Sequence, residues 1–228
     1  MEVRIKSDLK NLELLEGLVV VLDVFRAGNT LIALLGAGVE DVLIVADLDQ
    51  AFELKRAEPE RLLLGERGGL PPAGFDGGNS PAQAARLKAA GGRAILTTSA
   101  GTQAVGRLKR AGTVLFGSFA NAAALVEAVR QAGPARVHLL PMGFEAREPA
   151  LEDDEAALYL KAALEGRRPD FGPVRARLMG CPGADRLRRL GQGEDLEFCT
   201  RLDSHEEVPL VIRGQVPRAV RWPGQVSG

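Results

Sequence analysis

Four short stretches carry most of the side chains that could do chemistry. Asp23-Val24-Phe25-Arg26 sets a carboxylate three residues before a guanidinium, and Gly65-Glu66-Arg67 repeats the pairing. Gly74-Phe75-Asp76-Gly77-Gly78-Asn79-Ser80-Pro81 combines a carboxylate, paired glycines and a helix-starting signal, and Thr97-Thr98-Ser99-Ala100-Gly101-Thr102 gathers hydroxyls. Carboxylates can hold a divalent cation, arginine binds a phosphate through two parallel N–H bonds, and hydroxyls or backbone amides receive developing charge. Phosphoryl transfer needs this mixture. Each piece also has a structural reading. Asp23 and Arg26, or Glu66 and Arg67, could be ion pairs closing a strand. Ser80 or Asn79 with Pro81 makes a well-capped helix entry, Thr98, Ser99 and Thr102 could cap the helix that follows, and Glu152-Asp153-Asp154-Glu155 suits an acidic first helical turn.

The elements that must position these residues follow from periodicity. Short, nearly continuous apolar runs at 18–24, 42–46, 61–64, 94–98, 113–116 and 137–140 read as strands covered on both faces. Amphipathic stretches at 29–35, 48–57, 81–90, 102–109, 121–131 and 152–164 read as helices between them, with Gly36, Gly91 and Gly112 where helices end. The alternation predicts an α/β fold: one domain over residues 1–228, three α/β/α layers, and a largely parallel sheet. Beyond residue 166 it breaks. Two short helices are expected there, and the β-like runs 196–200 and 208–212 are expected to add edge strands. In such a sheet ligands bind beyond the carboxyl ends of the strands, where the four stretches, with Ser118 and Asn121 after the fifth strand, fall.

Composition narrows the function classes. With 29 basic and 30 acidic side chains and a formal charge of -1, nothing would draw in nucleic acid or an anionic membrane. No apolar run approaches the ~20 residues that span a bilayer. Cys181, Cys199, His138 and His205 lack clustered spacing, which argues against structural zinc. With no leader ahead of the first structured segment, a cytoplasmic protein with free thiols is expected. His138 reads as a core histidine inside a strand, and His205 as a loop residue. Gly36-Ala37-Gly38 follows a helix and leads into a strand, the reverse of a dinucleotide loop. Asp47-Leu48-Asp49 is similar to the nucleophile loop of haloacid dehalogenase-type phosphatases, but Ala51 stands where that pattern usually has Thr, so Asp47 to Ala51 reads as a helix start.

In order and spacing the chain resembles the 2-phosphosulfolactate phosphatase family. The resemblance is carried by Asp23-Val24-Phe25-Arg26-Ala27, Gly65-Glu66-Arg67, Gly74-Phe75-Asp76 with Gly78-Asn79-Ser80-Pro81, and Thr97-Thr98 with Gly101-Thr102. Ser118 with Asn121, Leu151-Glu152-Asp153, and the stretch from Asp195-Leu196 through Asp203 to Val208-Pro209 extend it. It implies a Mg2+-dependent phosphatase that releases phosphate from 2-phospho-3-sulfolactate and leaves 3-sulfolactate, a step toward coenzyme M. On this reading Asp23, Glu66 and Asp76, supported by Glu152 or Asp153, hold Mg2+. Arg26, Arg67, Asn79, Ser80 and Thr98 bind phosphate, with Ser99, Thr102 and Asn121 completing the substrate site. Gly28-Asn29-Thr30 replaces the family's usual Thr-Thr-Thr, and Ser99-Ala100 alters its Thr-Asn-Gly-Thr, changing donors expected near the ligand. The alternatives are a phosphatase of another phosphorylated hydroxyacid and a module that binds phosphoesters without turnover. A homodimer is the default assembly.

Overall fold

The computed structural model describes residues 1–87, 92–99 and 104–224. Strand β2 (Leu18–Leu22) shows how the layers arise. Every residue in it is buried, and alternate side chains serve different layers: Leu18, Val20 and Leu22 join one apolar cluster, Val19 and Val21 another. The first cluster includes α4 (Ala122–Ala132) and α5 (Leu151–Leu164), and the second includes α1 (Ala27–Gly36). A third cluster sets α2 (Leu48–Ala57) against β3 (Asp41–Val45), β4 (Leu62–Gly65) and β6 (Arg93–Thr97). The result is the expected α/β/α arrangement.

The remaining strands are β1 (Glu2–Ile5), β5 (Gly77–Gly78), β7 (Thr113–Gly117), β8 (Arg136–Pro141), β9 (Pro209–Ile212) and β10 (Arg218–Arg221). Together they form a ten-stranded sheet in the order β1-β8-β2-β7-β9-β10-β3-β6-β4-β5. The sheet holds two parallel blocks, β1-β8-β2-β7 and β3-β6-β4-β5, separated by the antiparallel pair β9–β10. Because β7–β9, β9–β10 and β10–β3 are all antiparallel, the two blocks run in opposite senses within the sheet. Twist reconciles them. Six steps separate β2 from β4, and at roughly 20–25° per step the sheet turns by about 120–150°, bringing the carboxyl ends of both blocks to one side. Arg26, just past β2, accordingly donates to the carbonyl of Gly69, just past β4, at 2.9 Å.

Several expectations need revision. Strands β9 and β10 lie in the middle of the sheet and not at its edge, with Val211 and Ala219 buried under α1. Residues 196–199, read as a strand, belong to helix α8 (Gly193–Cys199), which follows α6 (Phe171–Met179) and α7 (Pro182–Arg189). A five-residue stretch with apolar residues at 196, 198 and 199 fits either period, and here the acidic Glu194 and Asp195 open a helix. Strands β1, β5 and β10 were not anticipated. Helix α3 (Pro81–Ala84) is shorter than expected, closing in turns at residues 85 and 86. The helix expected over 102–109 is described only from residue 104, where two helical residues lead into turns.

Other expectations match. Asp47 caps α2 by accepting from the Gln50 amide at 2.9 Å. His138 is buried in β8, and burial lowers its pKa. His205 stacks on Phe198, and Cys181 and Cys199 are buried free thiols. Among the described residues no helix is long and apolar enough to cross a membrane.

Candidate active site

Where the two blocks meet, their carboxyl ends border a cleft of about 530 Å³ counting its open mouth. Asp23, Phe25 and Arg26 enter it from β2; Glu66, Gly68 and Gly69 from β4; Thr98 and Ser99 from β6. Asn79 follows β5, Gly143 to Glu145 follow β8, and Glu152 and Asp153 come from the first turn of α5. Arg186 of α7 completes the wall.

Backbone amides fix three of the carboxylates, Asp23, Glu66 and Asp153. Asp23 accepts from Ala27 N at 3.0 Å, which ties it to the start of α1. Glu66 bridges two loops, accepting from Ser99 N at 2.7 Å and Gly69 N at 2.8 Å. Gly65 lets it get there, because a Cβ at that position would sit 2.1 Å from the Thr97 carbonyl oxygen. Asp153 accepts from Val24 N at 2.8 Å and Gly143 N at 2.9 Å, so α5 is pinned to the ends of β2 and β8. Burial, reinforced by Asp23 and then Glu152, pushes the Asp153 carboxyl well above the usual range. Burial also raises Glu152, which accepts from the Cys181 thiol at 3.6 Å and is pulled back by Arg186. Three acidic groups thus crowd one corner.

Arg26 is almost fully buried and donates to Asp195 Oδ2 at 2.7 Å. The other oxygen of Asp195 accepts from Ser80 Oγ at 2.6 Å and Ala82 N at 3.1 Å. Ser80 also caps α3 through Gln83 N at 3.2 Å. The anion at the start of α3 is therefore the protein's own Asp195. The Gly-Asn-Ser-Pro element is a cap that anchors Arg26 through Asp195, and Ser80 lies behind the cleft wall. Asn79 does face the cleft, and its buried Oδ1 has no hydrogen-bond partner.

The structure thus brings Asp23, Arg26, Glu66, Asn79, Thr98, Ser99, Glu152 and Asp153 together. Asp76 is not among them. It accepts from Lys55 Nζ and Leu63 N, both at 2.8 Å, outside the cleft lining, and the neighbouring Phe75 packs edge-on against Phe52 of the same helix as Lys55. Arg67 reaches back to the Ala46 carbonyl and Thr97 Oγ1, at 2.8 and 2.9 Å, tying β3 to β6. Asn121 accepts from Ser118 N and donates to the Glu207 carbonyl, both at 2.9 Å, which is a capping role. Thr102 lies outside the described residues. Gly28 and Asn29, expected near the ligand, are buried beneath the Asp23 loop, where Asn29 donates to the Val24 carbonyl at 2.8 Å. Sequence reasoning missed the roles of Asp195 and Arg186. Asp195 stood inside a matched segment, whereas Arg186 had no local signal in its Arg-rich surroundings.

A cleft at the carboxyl ends of an α/β sheet, walled by carboxylates and a buried arginine, belongs to an enzyme that handles anionic esters, and relatives fix the reaction class: the chain is a phosphoric monoester hydrolase. A family model described as 2-phosphosulpholactate phosphatase matches residues 4–214, and the chain belongs to that family. It is 33% identical over 212 residues to a Thermoplasma acidophilum protein named probable 2-phosphosulfolactate phosphatase, covering 91% of this chain and 90% of that one. Proteins of the same name from Carboxydothermus hydrogenoformans and a Synechococcus strain are 34% and 39% identical, covering 88% and 85% of this chain and 88% of each of theirs.

Proposed function

We propose that the chain hydrolyses 2-phospho-3-sulfolactate to 3-sulfolactate and phosphate with the help of Mg2+. The observation that carries this reading is the convergence of Asp23, Glu66, Glu152 and Asp153 with Arg26, Asn79 and Thr98 from separate segments on one cleft. The relatives' shared name supplies the substrate.

The donor set suits Mg2+, which keeps several waters and takes only one or two carboxylates besides phosphate oxygens. Among the described residues no three acidic, His or Cys side chains form a ready-made metal cage. Asp23 and Asp153 would hold the ion together with water and phosphate oxygens, with Glu152 and Glu66 standing nearby; the raised Asp153 marks a corner where positive charge relieves repulsion. Mg2+ would neutralise the phosphoryl oxygens and the leaving alkoxide. Arg26, preoriented by Asp195 and the Gly69 carbonyl, borders the cleft with N–H groups beyond those two bonds, which suits a phosphate. Asn79 and Thr98 supply polar contacts opposite the carboxylates. Catalysis is then mostly positioning and electrostatics.

The test is phosphate release from phosphosulfolactate with Mg2+ and with EDTA, for wild type and Asp23→Asn. Metal-dependent turnover, lowered by at least about 10²-fold in the variant, is expected; EDTA-insensitive turnover would remove the metal from the scheme. Rapid quenching of a single turnover with radiolabelled phosphate ester distinguishes the two nucleophiles. Phosphate formed with no label on the quenched enzyme at any time points to direct attack by water, and a trapped phosphoaspartate points to a carboxylate such as Asp23. A second reading, another small phosphorylated hydroxyacid as substrate, is favoured by Ser99, which departs from the family pattern and lines the cleft. A substrate panel ranks the two.

A further inference from the structure

Arg186 is the cleft residue that the scheme above leaves unused. Helix α7 buries Ala184 and Leu187 on its inner face and leaves Arg186 half-buried on the flank that looks into the cleft. Its neighbour Arg188 is engaged, donating to Asp185 at 2.9 Å and to the Met179 carbonyl at 2.6 Å. Arg186 forms no ion pair among the described residues. Its guanidinium carbon instead lies 4.3 Å from the ring centroid of Phe144.

That ring is held in place. Gly143 N donates to Asp153 at 2.9 Å, and Phe144 closes a tight loop with Glu148, donating to its carbonyl at 2.7 Å and accepting from its amide at 3.2 Å. Gly143 is needed for the loop, with φ +70° and a would-be Cβ 2.2 Å from the Glu148 carbonyl oxygen. A guanidinium stacked on a fixed ring keeps its N–H edge free for a planar, two-bond contact with an oxyanion. Phe144 is 38% exposed and lines the cleft, so the stack is open to an incoming ligand.

Charge inside the cleft points the same way. Arg26 is matched by Asp195, and the other charged groups lining the wall are Asp23, Glu66, Glu145, Glu152 and Asp153. Once Arg26 and the cation are taken up by the phosphate, a second strong anion on the ester would find its cationic partner among the lining residues at Arg186. We propose that Arg186, presented by Phe144, binds the sulfonate of the substrate and so sets the preference for a sulfonated phosphoester; this rests on the phosphatase reading above.

The experiment compares wild type, Arg186→Gln, Arg186→Lys and Phe144→Leu on 2-phospho-3-sulfolactate and on 2-phospholactate, which keeps phosphate and carboxylate but lacks the sulfonate. Arg186→Gln should lower kcat/KM about 10²-fold on the sulfonated ester, mainly through KM, and less than about threefold on phospholactate. Lysine should recover part of the loss, and Phe144→Leu should move in the same direction by less. Equal losses on both esters, or none on the sulfonated one, would overturn the proposal. Calorimetric binding of 3-sulfolactate and of lactate separates this result from failure of the phosphatase reading, since it needs no turnover. Sulfolactate affinity above that of lactate, lost in Arg186→Gln, sustains the assignment even if neither ester is hydrolysed; absence of sulfolactate binding to wild type overturns it.

Discussion

Asp76 and Asp23 look alike in sequence, each an acid in a glycine- or arginine-flanked motif, yet they do different work. Burial pulls Asp76 upward, but the Leu63 amide and Lys55 outweigh it and hold its carboxyl below the usual value. A folded pKa below the unfolded one contributes stability above the unfolded value, near 3.9, and loses it as pH falls through the folded value. Asp76→Asn should therefore cost roughly 1 kcal/mol or less at neutral pH, given its half-exposed partner, and the gap to wild type should close in acid. Urea titrations at pH 7 and in acid read this, and kcat/KM on phosphosulfolactate should stay near the wild-type value. A catalytic Asp76 would instead show a large loss of kcat at unchanged stability. Sequence could not separate the two acids, because the partners of Asp76, Lys55 and the Leu63 amide, lie beyond the reach of any local motif. Asp23, Arg26 and Glu66 were legible because strand ends in an α/β sheet have a known destination.

Elements rather than residues decide what Arg26 can do. Helix α8 brings Asp195, α3 brings the Ser80 hydroxyl and the Ala82 amide, and the β4 loop brings a carbonyl, so three segments hold one guanidinium. Asp195→Ala would strand a buried arginine and is expected to cost about 3–5 kcal/mol. Ser80→Ala removes a cap and should cost about 1 kcal/mol, with little change in KM. Denaturant midpoints measure both; a larger effect of Ser80→Ala on KM than on stability would return that serine to the substrate. The longer strands and helices of the first 165 residues, β2 to β4, β6 to β8, α1, α2, α4 and α5, were readable from periodicity because each is long enough to show its period. Residues 196–199 were not, and β1 and β10, at four residues each with two of them charged, carried too few apolar positions to register.

At the scale of the molecule, the pair β9–β10 joins the halves that share the cleft. Ala219 is fully buried between them, and Ile44 N donates to the Pro217 carbonyl at 2.8 Å. Ala219→Asp places an unpaired charge in the apolar cluster under α1 and should abolish cooperative unfolding of the sheet together with activity. Circular dichroism melts and phosphate release would both report it; a variant that melts normally would show that the halves hold without their bridge.

The position of that bridge in the chain also bears on synthesis. Leu43 pairs with Arg218, and Leu115 with Leu210, so the partners of β3 and β7 leave the ribosome long after those strands do. Until residue 221 has emerged, the two half-sheets can form but their neighbouring edges remain open, with unpaired amides exposed to other nascent chains. The cleft is assembled last, and the interval before it closes is when this chain is most in need of a chaperone.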